Sequence, residues 1–479
     1  MFASVGFRRR LAGQQGSCDQ SRGFFLDLEV SMRHRTALNG GAAQKVMLIL
    51  ISLGLTLGQS RATLPNLGYL HQVALEVTSA AKVKPGQSIV GTGPNTTGFA
   101  FRVPGATLNY YPAFWIRDAA MMLGADLVPK EELDGWIRIV ARTQPGPAGM
   151  RLPHDMFVPG YSIPDHIAVN GDACWYPGAY ADQGVGNYGL LPPADDAFYF
   201  VQMVHERYRL GKDSGFLKSM VHTAYGDASI QEVTERAFES IAVDTHSGLV
   251  LCDSVRTRVD WGFCDSIRKT GEVLMPSLMR WQAAGRLAEL LAVSGDRKGS
   301  QRYRLIQRQI RSNLNTFATH LPRGEIVLSS ATGVGRQDDI WASAFAVWLG
   351  VLPKRDELAV ARHLLRMYRT GGIVSAGQIR QLPEGEYWSQ ASSAPDTYQN
   401  GGYWATPTGW FIAAINTASP RDAREIYSSF IADLKDHRNQ GAPFEWTVPA
   451  RNIRTNPQYG SSAGLVYVSL VQAGFKPEG

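Results

Sequence analysis

Five short stretches of the chain set carboxylates or amides beside indole and phenol rings. They are Trp115-Ile116-Arg117-Asp118, Asp260-Trp261-Gly262-Phe263-Cys264-Asp265, Asp338-Asp339-Ile340-Trp341, Gln399-Asn400-Gly401-Gly402-Tyr403-Trp404 and Phe444-Glu445-Trp446. A flat aromatic face suits the apolar C–H face of a sugar, while carboxylates, amides and Arg suit its hydroxyl rim. The mixture marks Trp115, Arg117, Asp118, Trp261, Asp339, Trp341, Gln399, Asn400, Tyr403, Trp404 and Trp446 as candidate sugar contacts. Glycosidic bond cleavage also needs two carboxylates. One protonates the departing oxygen, and the other deprotonates a water on the opposite face. The acid must keep its proton near neutral pH, which an apolar wall or a negative neighbour achieves. Trp261 and Phe263 could form that wall beside Asp260 or Asp265, and Glu445 sits between two aromatic residues, an odd place for a surface acid.

Each stretch also has a plainer reading. Asp118 beside Arg117 reads equally as a buried ion pair. Asp195-Asp196, after Pro192-Pro193, and Asp338-Asp339 read as helix caps. Asn400-Gly401-Gly402 reads as a turn into a helix.

The elements that must position these residues are mostly helical. Apolar residues recur at steps of three and four, as in Tyr303, Ile306, Ile310, Leu314 and Phe317, or Ala423, Ile426, Phe430, Ile431 and Leu434. Ser419-Pro420 is a cap followed by Pro at the first helical position. The pattern predicts helices near 65–82, 116–126, 131–144, 195–210, 228–243, 275–294, 299–318, 337–350, 355–369, 402–417, 420–436 and 460–474, with a shorter one over 214–223. Short strands are expected at Phe99–Val103, Leu249–Asp253 and Glu325–Ser329. Twelve helices, mostly paired by short links and without a fixed sequence repeat, predict an all-α closed ring of hairpins, an α/α barrel. Residues 145–194 hold 16 Gly or Pro in 50 positions, where average usage gives about six. This stretch and residues 370–401 read as long aromatic-rich functional loops.

Composition bounds the remaining possibilities. The chain has 479 residues, 44% hydrophobic and 19% charged, enough for a large core. The net charge of +6 is concentrated at the head: residues 1–62 carry eight Lys/Arg against three Asp/Glu, and the rest carries 40 against 39. A nucleic-acid partner therefore loses its electrostatic basis. Within the head, the apolar run from Val46 to Leu57 follows Arg33, Arg35 and Lys45 and precedes Ser60-Arg61-Ala62. It is too short for a comfortable membrane span and reads as a signal peptide cleaved after Ala62. Met32 is then an alternative start, and the expected location is secreted or periplasmic, without a stable membrane span after cleavage. Residues 63–479 are expected to form one catalytic domain. Cys252 and Cys264 are close enough in sequence to pair. No HExxH, phosphate-binding loop, dinucleotide fingerprint or Gly-x-Ser-x-Gly occurs. Neither a cofactor nor a metal is expected, although His154-Asp155 and Asp165-His166 leave room for a loop cation.

Taken together, Trp115-Ile116-Arg117-Asp118 early, Gln399-Asn400-Gly401-Gly402-Tyr403-Trp404 late and Phe444-Glu445-Trp446 before the last helix resemble the six-hairpin glycosidases. That superfamily includes glucoamylases, trehalases, α-rhamnosidases and disaccharide phosphorylases, and the resemblance spans roughly residues 65–475. It implies an (α/α)6 six-hairpin barrel with a site at one mouth, and usually inverting hydrolysis by two carboxylates. The segment Arg258-Val259-Asp260-Trp261-Gly262-Phe263-Cys264-Asp265-Ser266 is similar in kind to the one that carries the acid in trehalase-like enzymes. This makes Asp260 or Asp265 the acid, and Glu445 takes the place of the base near the last hairpin. The chain departs from glucoamylases, whose acid lies in a mid-chain Glu-Glu pair. Its one such pair, Glu131-Glu132, opens an early helix, where acid complements the helix dipole. The same barrel also supports a phosphorylase, a lyase, an epimerase or a non-catalytic sugar-binding protein.

Overall fold

A computed structural model of the chain describes residues 63–106, 111–152, 157–175, 192–253 and 260–478. The head with its apolar run, His154-Asp155, Arg258 and the 176–191 part of the first long loop lie outside the described residues. Twelve α-helices occur among those described: α1 Leu67–Ala80, α2 Ile116–Met121, α3 Lys130–Thr143, α4 Asp196–Gly211, α5 Ile230–Glu239, α6 Leu274–Ser294, α7 Arg297–Asn313, α8 Ile340–Leu349, α9 Lys354–Thr370, α10 Thr408–Ala418, α11 Pro420–Asp436 and α12 Ser461–Gln472. Each matches a helix expected from the apolar spacing. No helix among the described residues is long and apolar enough to cross a membrane.

Local chemistry explains the boundaries. Ser419 accepts a hydrogen bond from the Asp422 amide and Pro420 follows at the first helical position of α11. Ser229 and Glu232 form a reciprocal capping box at the start of α5. Helix α2 stops five residues earlier than expected, because Gly124, Ala125 and Asp126 take positive φ. Helix α10 begins at Thr408 rather than 402, because Tyr403 and Trp404 are drawn into a sheet. The short helix expected over 214–223 is instead a 3-10 turn, Gly215–Lys218, followed by a strand Met220–Thr223 paired with Gly226–Ser229. Alternating burial along Met220–Thr223 suits a strand with one face on the core. The three expected strands form in shortened versions, Phe101–Arg102, Leu251–Cys252 and Ile326–Leu328.

The even-numbered helices follow one another as neighbours: α2 touches α4, α4 touches α6, α6 touches α8, α8 touches α10, α10 touches α12, and α12 returns to α2. The odd-numbered helices pack on them, for example α7 on α6, α9 on α8 and α10, and α1 on α12. A cavity of about 40 Å³ is lined from all six even helices, by Met121, Gln202, Gln282, Trp348, Trp410 and Gln472 among others. Residues 61–479 hold together as one unit.

Two small sheets carry the loops that precede the even helices. In one, β1 (Phe114–Trp115) pairs with β2 (His166–Ile167), and β2 with β3 (Ala173–Cys174). In the other, β4 (Val374–Ser375), β5 (Gln378–Ile379), β6 (Tyr403–Trp404), β7 (Trp446–Val448) and β8 (Ile453–Arg454) run antiparallel in that order. The β4–β5 turn has Ala376 and Gly377 at φ 51° and 71°, the two positive angles of a tight hairpin. A Cβ on Gly377 would overlap the backbone of Phe430 in α11. Gly377→Ala should therefore destabilise the fold by at least about 2 kcal/mol, from adverse φ and forced overlap together, read as a lower urea midpoint at unchanged m-value.

Candidate active site

The candidate residues lie in the segments that lead into the even-numbered helices. Trp115 precedes α2, Asp195 α4, Asp265 α6, Asp339 α8, Tyr403 α10, and Glu445 and Tyr459 precede α12. At the centre is Arg117, in the first turn of α2 and 3% exposed. Its guanidinium binds Asp165 closely, lies 3.3 Å from Asp195 Oδ2 and 3.5 Å from Asp196 Oδ2. Burial pushes the Asp196 carboxyl well above its ordinary range despite Arg117, and Asp195 is raised as well. Burial also acts on Asp165, but there Arg117 and His166 outweigh it and hold the carboxyl low. One cation thus serves several buried acids, and the acids share protons among them.

Glu445 is 2% exposed and enters the site from the residue before β7. Tyr111 Oη donates to its Oε1 at 3.1 Å, and Asn456 Nδ2 donates closely to Oε2. Burial pushes the Glu445 carboxyl up to about 8. The two donors pull it down, and the negative charges of Asp118 and Asp265 push it up. Asp265 is half-buried and accepts from Gln399 Nε2 at 2.7 Å. Burial raises it to about 6, against the hydrogen bond from Gln399 and the charge of Arg117. Asp118 accepts from Tyr459 Oη at 2.7 Å, and burial likewise raises it to about 6. Tyr111 feels Glu445, Asp265 and Asp118 together. These mutual influences place three carboxylates and two tyrosines in one low-dielectric group. Trp115, which meets Tyr111 edge-on, and Trp446, next to Glu445, are partly exposed beside it; Tyr403, expected as a sugar contact, instead donates its hydroxyl to the Gly372 carbonyl among Glu384, Arg380 and Asp396.

Several expected sugar contacts are corrected by the structure. Trp261, Trp341 and Trp404 have no exposed surface. They meet edge to face, with ring centroids 6.0 Å apart for Trp261–Trp341 and 5.8 Å for Trp341–Trp404. Their N–H groups are satisfied internally by Tyr199 Oη, the Ile379 carbonyl and the Tyr398 carbonyl. They form the floor beneath the site rather than a surface that could meet a sugar. Asp339 is 1% exposed and caps α8 by accepting from the Ala342 amide. Asn400 is used inside its loop, accepting from the Trp388 amide and donating to the Ser393 carbonyl. Asp260 is wholly buried, with one oxygen on the Trp261 amide and the other 3.0 Å from Lys269 Nζ. Asp195 does not cap α4 through its side chain; it accepts from the Gly262 amide and Arg117. Cys252 and Cys264 are buried free thiols and do not pair.

No protein-family model matches the chain, and neither does any curated protein. Solved structures do. A rhamnosidase from Klebsiella oxytoca with rhamnose bound aligns at 14% identity and a TM-score of 0.51, over 84% of this chain and 63% of that one. The chain thus spans less than two thirds of the rhamnosidase. The GH63 mannosylglycerate hydrolase from Thermus thermophilus aligns in its glucose complex at 12% identity and a TM-score of 0.51, over 83% of this chain and 99% of that one. Its Tris complex gives 12% and 0.52 over the same shares. The chain shares the fold of these glycosidases. Both neighbours belong to the six-hairpin superfamily that the sequence resembles.

Two features hold the site's floor in place. A Cβ on Gly262 would overlap the Arg117 guanidinium, so only glycine lets the 260–265 segment approach the hub. Lys269 is fully buried between Asp260 and Asp339, with its ammonium 3.7 Å from Asp339 Oδ2 and 4.9 Å from the centre of the Trp388 ring. Sequence reading missed Lys269, Tyr111, Asn456 and Tyr459 as site residues, and marked Asp165 and His166 only as room for a loop cation. The partners of Tyr111 and Tyr459 lie far along the chain, and no local pattern announces any of the four. Lys269→Met would leave Asp260 and Asp339 buried without their cation. Differential scanning calorimetry and urea titration should show a loss of about 3–5 kcal/mol.

Proposed function

We propose that the chain is a glycoside hydrolase that cleaves a glycosidic bond of an oligosaccharide or glycoside with inversion at the anomeric carbon. The observation that carries this reading is the pairing of Asp265 and Glu445. Burial raises the proton affinity of both carboxyls, and the charge of Asp265 raises Glu445 further, beside the partly exposed rings of Trp115 and Trp446. The shared fold with a rhamnosidase and a mannosylglycerate hydrolase supports the same chemistry. We read the twelve helices as an (α/α)6 barrel, which the cyclic neighbour order and the cavity common to all six even helices support. The basic, then apolar, then small-residue pattern of residues 33–62 supports export to the periplasm or the medium.

In this mechanism Asp265 donates its proton to the departing oxygen. Glu445, oriented by Tyr111 and Asn456, draws a proton from the attacking water. Asp265 is the better acid of the two original candidates, because Asp260 is sealed off and neutralised by Lys269. Asp118, fixed by Tyr459, and the partly exposed rings of Trp115 and Trp446 remain to hold sugar hydroxyls and faces. Gln399 acts by orienting Asp265.

The test is release of reducing sugar from α- and β-linked glycosides. Glu445→Gln should lose about 10³-fold or more on every substrate, and Asp265→Asn a similar factor on natural glycosides. On a dinitrophenyl glycoside, whose leaving group needs no proton, Asp265→Asn should lose less than about tenfold. The opposite pattern would exchange the two roles, and intact activity in both variants would overturn the pairing. The dependence of kcat/KM on pH should be a bell with limbs near 6 and 8, because one proton must be shared by the pair; that proton sits mostly on Glu445, so the active form, with Asp265 protonated and Glu445 ionised, is the minor one. Asp118→Asn removes a negative charge that raises Glu445, so the upper limb should move to lower pH.

A further inference from the structure

The outer helix α7 breaks a charge rule that its neighbours keep. Helices α3, α5, α9 and α11 each carry Asp or Glu in the first turn, where an acid complements the helix dipole. Helix α7 carries six Lys or Arg among its 17 residues and no Asp or Glu, and Arg297 and Lys298 stand in its first turn. Further along, Arg304 and Arg308 lie four apart and Arg308 and Arg311 three apart, spacings at which like charges repel. Of the six, Arg302 alone is in an ion pair among the described residues, with Glu235 and Glu239. At 3.6 residues per turn, Arg297, Arg304, Arg308 and Arg311 fall within an arc of about 60° and span about 21 Å along the axis. All four are exposed, while Tyr303 and Ile310 of the same helix are buried. The stripe ends at a groove of about 340 Å³, lined by Arg311, Asn315, His320, Leu328, Leu352 and Asp356 among others. Roughly 300 Å³ is enough to take a small organic group.

We propose that this face of α7 is a docking surface for an acidic polysaccharide, whose carboxylate or sulfate groups follow the Arg stripe while one sugar ring enters the groove beside Arg311. The fold itself gains nothing from four exposed guanidiniums that repel one another and oppose the dipole, so the arrangement is explained by an anionic partner outside the chain. Each guanidinium offers a planar fork that matches a carboxylate or sulfate with two parallel hydrogen bonds. A single file of cations fits a chain of anions, whereas a bilayer would meet it along one line only. In the groove, Asn315, His320 and Asp356 supply donors and acceptors for hydroxyls, and Leu328 and Leu352 an apolar face for the ring. The attraction is local, because residues 63–479 carry 40 basic against 39 acidic side chains. The choice of a polysaccharide among polyanions rests on the proposed glycosidase reading; the charged stripe does not.

Fluorescence anisotropy with labelled heparin and labelled polygalacturonate tests the surface without reference to catalysis. At about 50 mM NaCl both should bind the full chain, and Arg304→Glu combined with Arg308→Glu should weaken binding at least about tenfold. Arg421→Glu combined with Arg424→Glu removes the same charge from exposed positions on α11. It should change affinity less than about twofold, since distant charges are screened. The basic head is the same in every variant, so the comparison isolates α7. The slope of log Kd against log salt should fall by about 0.7 for each Arg of the stripe replaced by Gln, as for other single-stranded polyanions. Arg304→Glu also sets an acid four residues ahead of Arg308, so its urea midpoint should rise, which separates lost binding from lost fold. Equal affinity in the two double variants, or no binding by the wild type, would overturn the surface. Tighter binding of a deoxythymidine oligonucleotide or of phosphatidylglycerol vesicles than of either polysaccharide would overturn the polysaccharide as partner. Absence of hydrolysis in the same preparation would instead count against the glycosidase reading and leave the binding result standing.

Discussion

The site depends on a buried guanidinium that is outnumbered by its acids. Arg117 joins α2 to the loops before α4 and α6 through Asp165, Asp195, Asp196 and the approach of Gly262. A buried charge without partners would be prohibitive, and a buried acid without a cation gives up its charge instead. The hub therefore ties segments remote in sequence to one point, and it leaves surplus acidity nearby. That surplus is what holds protons on carboxyls near neutrality. The second buried cation, Lys269, has a different balance, since it sits directly between Asp260 and Asp339. Burial still raises both carboxyls, Asp260 to about 6, but the ion cluster seals them away from the site and makes them structural. Two acids of the 260–265 segment thus diverge because their surroundings differ, not their chemistry.

Much of the fold was legible in the sequence. All twelve helices were expected; odd-numbered ones such as α5 and α11 bury one stripe at steps of three and four, whereas α2 and α8 are buried nearly all round. The boundaries that failed were set by interactions outside the local pattern. The sheet claimed Tyr403 and Trp404 before α10 could begin, and left-handed residues ended α2 early. The candidate site was legible only in part. Asp265 and Glu445 stood out by their aromatic neighbours, yet the same signature marked Trp261, Trp341 and Asp339, which serve as core and cap. An indole beside a carboxylate describes a sugar platform and a buried helix start equally well. Tyr111 and Tyr459, which reach Glu445 and Asp118 across more than three hundred residues, had no local signal. The unpaired Cys252 and Cys264 show a similar limit, since nearness in sequence says nothing of side-chain direction.

The aromatic floor connects these two levels. Trp261, Trp341, Trp404 and Trp410 come from the loops or first turns of three even helices and meet under the carboxylates. Their contacts hold the helix starts together from below while the Arg117 and Lys269 clusters hold them at the same level. Large rigid rings with satisfied N–H groups suit this role, because they bury much area while adopting few conformations.

The neighbour order of the helices closes on itself, and the strand Thr63–Leu64 lies parallel to Lys476–Pro477. This has a consequence for how the molecule can be assembled in time. The ring cannot shut until α12 has been synthesised, and Glu445 and Tyr459 belong to this last portion. A nascent chain therefore carries Arg117 and its acids long before it carries the carboxylate and tyrosine that complete their surroundings. Contacts of such sequence separation form slowly, because most of the chain's freedom must be lost before they are made. A partial product that stops short of the segment leading into α12 therefore lacks the tyrosine that holds Asp118, however well its earlier helices pack.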